Sequence, residues 1–155
     1  MATVHQPVNI HNRRAAFNYF ISDTWEAGIM LTGTEIKAIR DGKANLNDAY
    51  CYFKKDELWI KQLHISPYDK GGYSNHEPRR ERKLLLHRYQ LRRILSKVKE
   101  KGVSLIPVRL YTTERGYAKL ELGLARGKKM YDKRETLKKA EATREMGRAL
   151  KRDKS

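Results

Sequence analysis

The chain carries a single cysteine, Cys51. One thiol forms no internal disulfide, which excludes a stapled secreted scaffold and fits a reducing compartment. Long apolar runs are also missing. No segment approaches the ~20 apolar residues of a membrane span, and the N-terminus lacks the apolar core of a signal peptide. A soluble, cytoplasmic protein is the expectation. Acidic residues are scarce too: 18 Asp and Glu face 34 Lys and Arg, a formal net charge of +16. Such an excess repels itself unless a polyanion neutralises it. Nucleic acid is the natural partner, because bound cations release condensed counterions from phosphate.

Catalytic and metal signals are equally sparse. His5, His11, His64, His76 and His87 stand at no zinc-ligand spacing with the one cysteine. Neither a metal nor a cofactor is expected. The run Gly123-Leu-Ala-Arg-Gly127-Lys128-Lys129 falls short of a phosphate loop: three residues separate its glycines, and no Ser or Thr follows the lysine. Its glycines fit a sharp turn or a close approach to phosphate. Cys51 lies in an aromatic strand, where a buried inert thiol is the usual outcome. An enzyme is therefore not expected.

What the sequence does have is short strands. Phe17, Tyr19 and Ile21 alternate as in a strand, and a second should run from Glu26 to Leu31 with Ile29, Met30 and Leu31 buried. Thr34 fits an N-cap, with Glu35 in the first turn and Ile36 and Ile39 on one helical face; Gly42 supplies the stop. Tyr50 to Phe53 and Leu58 to Ile60 read as a hairpin across Lys54–Glu57. Residues 66–78, with two prolines and a Gly-Gly pair, read as a loop.

A helix is then expected from Pro78, with Leu84, Leu91, Leu95 and Val98 on one face and Gly102 as its stop. The stretch from His76 to Lys101 holds ten cations and three acids, which suits an RNA-facing surface. Strands over Val103–Tyr111 and Leu120–Leu124 follow, Pro107 marking an edge or a bulge. The fold class predicted is mainly β: a small OB-like antiparallel β-barrel with two or three flanking helices and a basic C-terminal tail. Residues 1–11 read as a flexible arm, 12–125 as the barrel and 126–155 as the tail. That tail has twelve Lys or Arg, five acids and few apolar positions. It favours helix without a stripe able to order it alone, so disorder in solution and helix on a partner are expected.

Four stretches, in this order, resemble one known family: Asn12-Arg13-Arg14-Ala15; Glu26-Ala27-Gly28-Ile29 with Gly33 through Arg40; His76-Glu77-Pro78 with Arg82 through His87; and Glu121 through Lys129 followed by Asp132-Lys133-Arg134. The chain resembles the SmpB family, the tmRNA-binding (SsrA-binding) proteins of bacterial ribosome rescue. The resemblance implies a non-enzymatic protein that binds the tRNA-like domain of tmRNA and delivers it to stalled ribosomes for trans-translation. It implies tmRNA contacts from Glu35, Lys37, Arg40, His76, Arg79, Arg82, Lys83, Arg126, Gly127, Lys128 and Lys129. It places Tyr131, Asp132, Lys133 and Arg134 at the decoding centre, with the tail in the empty mRNA channel. Small-subunit rRNA is then the second partner, and a monomer is expected. The competing readings are a permanent ribosomal protein, an RNA-processing enzyme and an anionic-membrane binder; the tail lacks the broad apolar face that the last requires.

Overall fold

Asn12 sets the first turn of the fold. Its Oδ1 accepts the Ala15 N–H at 3.1 Å, capping the helix α1 (Arg13–Asn18). Its Nδ2 donates to Pro107 O at 2.8 Å and Leu46 O at 3.2 Å, so one buried amide joins three segments. That cap outweighs the alternation seen from Phe17: Phe17 lies on α1, not on a strand. The computed structural model describes residues 7–72, 75–128 and 130–153.

The remaining elements are β1 (Asn9–His11), β2 (Tyr19–Ile29), α2 (Gly33–Arg40), β3 (Ala44–Asn45), β4 (Tyr50–Lys54), β5 (Glu57–Lys61), β6 (His64–Ile65), β7 (Arg82–Leu85), α3 (Arg88–Val98), β8 (Val103–Thr112), β9 (Ala118–Gly127) and α4 (Met130–Asp153). The main sheet runs β1-β8-β4-β5-β7-β2-β9, and β9 also pairs with β8. The six strands β8, β4, β5, β7, β2 and β9 thus close into a ring, all pairings antiparallel. This is the OB-like architecture expected, with α1, α2 and α3 flanking it. Leu58, Ile60, Leu84, Leu110, Leu120 and Leu122 fill its interior.

Several sequence expectations shift. The two strands foreseen over 17–31 are one, β2, broken by an irregularity between Ile21 and Thr24; Met30 lies beyond it and is exposed. β8 has the bulge that Pro107 foretold. Gly123, between these two irregularities, makes neither a turn nor a phosphate approach. A Cβ there would meet methyls of Ile21 at 2.7 Å and Val108 at 2.8 Å, so the absent side chain lets β2 and β8 close over β9. The expected helix from Pro78 is instead β7 followed by α3. Leu84 faces the barrel core, and the many cations between Arg79 and Arg93 concealed the change of period. The helix α2 is capped at Thr32 rather than Thr34, because the Glu35 carboxylate accepts the Thr32 N–H at 2.8 Å. Gly42 and Gly102 take the left-handed conformation that ends a helical segment (φ 75° and 81°). In the supposedly loose arm, residues 9–11 form β1 against β8. β9 continues to Gly127, so Arg126 and Gly127 belong to the sheet.

Cys51 lies on β4 opposite Leu105, the one registered pair joining β4 to β8. It is buried, and desolvation pushes its thiol well above the ordinary value of 9.0. Because thiolate is the reactive form, a disulfide reagent at pH 8 should label the native protein far more slowly than the unfolded protein, which should take up one equivalent. Rapid stoichiometric labelling of native protein would contradict this placement.

Candidate nucleic-acid interface

β2 and β9 run antiparallel along the barrel, and their ends define two poles. At one, the chain leaves β2 for α2, and the 113–117 turn leads into β9. At the other, Gly127 pairs with Tyr19, beside α1 and the start of the tail. Ten residues of β9 separate them, about 30 Å of strand.

The α2 pole collects cations and rings. Arg40 donates from Nε and Nη2 to Gly116 O at 3.3 and 3.1 Å, which ties α2 to the 113–117 turn. Lys37 is exposed and stands 5.6 Å from the centre of the Tyr68 ring. Tyr117 presents 65 % of its surface to solvent. His76 bridges Thr34 Oγ1 and Ile65 O, both at 2.9 Å, and so fastens the loop to the start of α2. Lys43 reaches Asp69 at 3.1 Å. Cations held beside exposed rings can neutralise phosphates and stack on unpaired bases.

Beneath this surface lies an ionic network. Glu35 and Arg82 are fully buried (0 % exposed) and paired with each other. Glu35 also takes a 2.6 Å bond from Arg80, while Arg82 donates to Leu63 O at 2.7 Å and Pro78 O at 3.2 Å. Burial alone would raise the Glu35 carboxyl. The bonds from Arg80 and the Thr32 N–H, with the Arg82 charge, outweigh it and hold the carboxyl below its ordinary 4.5.

The residues expected to touch RNA therefore divide. Lys37 and Arg40 share the α2 pole, with His76 behind them. Glu35 and Arg82 are corrected: no RNA atom can reach them in this fold, and they hold α2 against β7 and the loop instead. Arg79 bonds Gln62 at 2.9 Å near the β5–β6 turn. Lys83 pairs with Glu57 at 3.1 Å on the outer barrel wall.

Arg126, Gly127 and Lys128 lie at the far pole. Arg126 meets Glu100 at 2.7 Å there, and Lys128 donates to Ala16 O at 3.0 Å while standing 5.1 Å from the Phe20 ring. Lys133 lies 5.9 Å from the Phe17 ring, and Arg134 is exposed. Tyr131 and Asp132 lie on α4. Their side chains, like Lys129, fall outside the described residues. Sequence reasoning missed Tyr68 and Tyr117, because nothing in a linear pattern separates a surface tyrosine from a core one. Among the described residues no group of three His, Cys, Asp or Glu could hold a metal, and no helix is long and apolar enough to cross a membrane.

A closed antiparallel barrel with a basic surface at each pole and a long basic helix leaving one of them defines a class: basic OB-like barrel proteins. Comparison narrows the class. The family model for SmpB protein matches residues 9–152. An SsrA-binding protein of Phocaeicola vulgatus is 56 % identical over 146 residues, 94 % of this chain and 97 % of its own. One of Moorella thermoacetica is 54 % identical over 140 residues, 90 % of each chain. A chain of the solved structure "tmRNA-SmpB: a journey to the center of the bacterial ribosome" shares 49 % identity and a TM-score of 0.68, covering 83 % of this chain and 94 % of that one. The protein belongs to the SmpB family.

Proposed function

We propose that this protein binds the tRNA-like domain of tmRNA with its α2 pole and carries it to ribosomes stalled without messenger. The carrying observation is the separation of two basic poles along β9, with the tail leaving only one of them. One pole engages the delivered RNA while the other faces the ribosome. The protein acts by binding and not by catalysis, in the cytoplasm where ribosomes are. The described side chains of α4 are mostly exposed, and cations dominate its sequence. A helix with so little burial is marginal alone, and phosphates lining an empty messenger channel would stabilise it. Messenger would occupy the same channel, so the tail reports its absence.

The direct test is capture of the tagged protein from cells followed by sequencing of bound RNA. Strong enrichment of tmRNA is expected; its absence sinks the proposal. Stoichiometric presence on all ribosomes would favour a permanent ribosomal protein. Affinity for the tRNA-like domain should also fall steeply with salt. Contact with six or more phosphates predicts a loss of roughly a thousandfold or more between about 50 and 200 mM monovalent salt, read by a binding titration. A flat salt profile would leave the surplus charge without this role.

A further inference from the structure

Helix α3 carries a feature that the reading above does not use. His87 and Tyr89, at its start, stack on each other with ring centres 5.7 Å apart and planes 9° from parallel. Both are exposed, and Tyr89 shows 69 % of its surface. An apolar ring so open to water gains little from its own fold. Arg88, Arg92 and Arg93 surround the pair, all exposed, and no carboxylate partners any of them among the described residues. Arg88 and Arg92 are four residues apart on one helical face, as are Tyr89 and Arg93. Beside them runs a groove whose lining includes Arg88, Arg92, Lys55 and Leu91, with Lys83 paired to Glu57 along it and Asp56 next to that pair.

We infer that this surface is a second RNA-binding platform, which stacks an unpaired ribosomal RNA base on Tyr89 and holds the flanking phosphates with Arg88 and Arg92. The chemistry favours RNA over an acidic peptide, because a pre-stacked ring pair extends a base stack while its arginines reach the backbone. The position favours the ribosome over tmRNA, an assignment that rests on the proposed function. Helix α3 closes the barrel at the tail pole. Its C-terminal end is tied there by Lys97 to Asp23 at 2.6 Å, and Glu100 just beyond it pairs with Arg126, next to the start of the tail. The helix that carries the platform thus ends beside the start of the tail.

The test uses the full chain and three variants: Tyr89→Ala, Tyr89→Phe and the double variant Arg88→Gln/Arg92→Gln. Each is titrated against two RNAs, a transcript of the tRNA-like domain and messenger-free small ribosomal subunits. Tyr89→Ala should weaken subunit binding about tenfold, while Tyr89→Phe keeps the wild-type value. The arginine double variant should also weaken it, and lower the slope of log affinity against log salt by about 1.4 for two single-strand phosphates. Binding to the tRNA-like domain should stay within about twofold for all three. Melting temperatures should hardly move, because these side chains are exposed.

Three outcomes overturn the proposal: a loss confined to the tRNA-like domain, equal losses on both RNAs, or unchanged subunit binding in both Tyr89→Ala and the arginine variant. An acidic peptide competing for the site without affecting subunit binding would also count against it. Failure of the wild-type chain to bind the tRNA-like domain would refute the proposed function and leave the subunit titration readable.

Discussion

Removal of residues 131–155 leaves affinity for tmRNA within about twofold and abolishes peptide tagging on stalled ribosomes. The expectation follows from geometry. The α2 pole, with Lys37, Arg40 and Tyr68, lies a full strand of β9 away from where α4 begins. The start of α4 packs against α1 instead, with Lys133 beside the Phe17 ring. Truncation should also leave the barrel core intact, because among the described residues no buried core residue lies beyond Ala125. Two measurements decide the matter: a titration with the tRNA-like domain, and a reconstituted tagging assay on ribosomes carrying a truncated message. Equal loss in both would mean that the poles do not divide the labour.

The second large effect concerns Glu35. Replacing it with Ala or Gln should destabilise the protein by about 3–5 kcal/mol, because Arg82 would be left as an uncompensated buried charge. Thermal unfolding should show it as a drop of roughly 10–20 °C. RNA binding should fail only as the fold fails. The paired replacement Glu35→Leu/Arg82→Met should recover most of the stability, since a well-packed apolar pair often equals a buried ion pair. It should recover RNA affinity with it, because α2 would again be held in place. If Glu35→Gln lost RNA binding at unchanged melting temperature, the carboxylate would be acting on RNA directly.

The pH dependence has a definite sign. The Glu35 carboxyl is depressed in the folded state. Its stabilising contribution is therefore complete above the unfolded value near 4.5, and is lost as pH falls through the lower folded value. Wild-type stability should decline below about pH 4.5, and the Leu/Met pair should flatten that decline.

Glu35 also shows where reading the sequence reached its limit. Its place three residues after Thr32 gives a first-turn acid in any helix. Its burial depends on Arg80 and Arg82, 45 and 47 positions later. A carboxylate among cations looks the same in one dimension whether it meets solvent, RNA or a buried guanidinium. The basic run from Arg79 to Arg93 misled in the same way. Uniform charge hid a strand whose single inward leucine, Leu84, carries no periodic signal over four residues.

The sequence by itself determined the charge excess, the antiparallel β class, the helix stops at Gly42 and Gly102, the β4–β5 hairpin and the basic tail. Each of these depends on composition or on neighbours within a few positions. Only the tertiary structure decided which cations are spent on internal pairs, which tyrosines reach the surface, and that two basic poles lie at opposite ends of the barrel. Those outcomes depend on contacts between segments far apart in the chain, and ring closure through β9 fixes them. Surface cations on α2, α3 and the tail are the physical basis that both RNA assignments share, and affinities indifferent to salt and to their removal would end them.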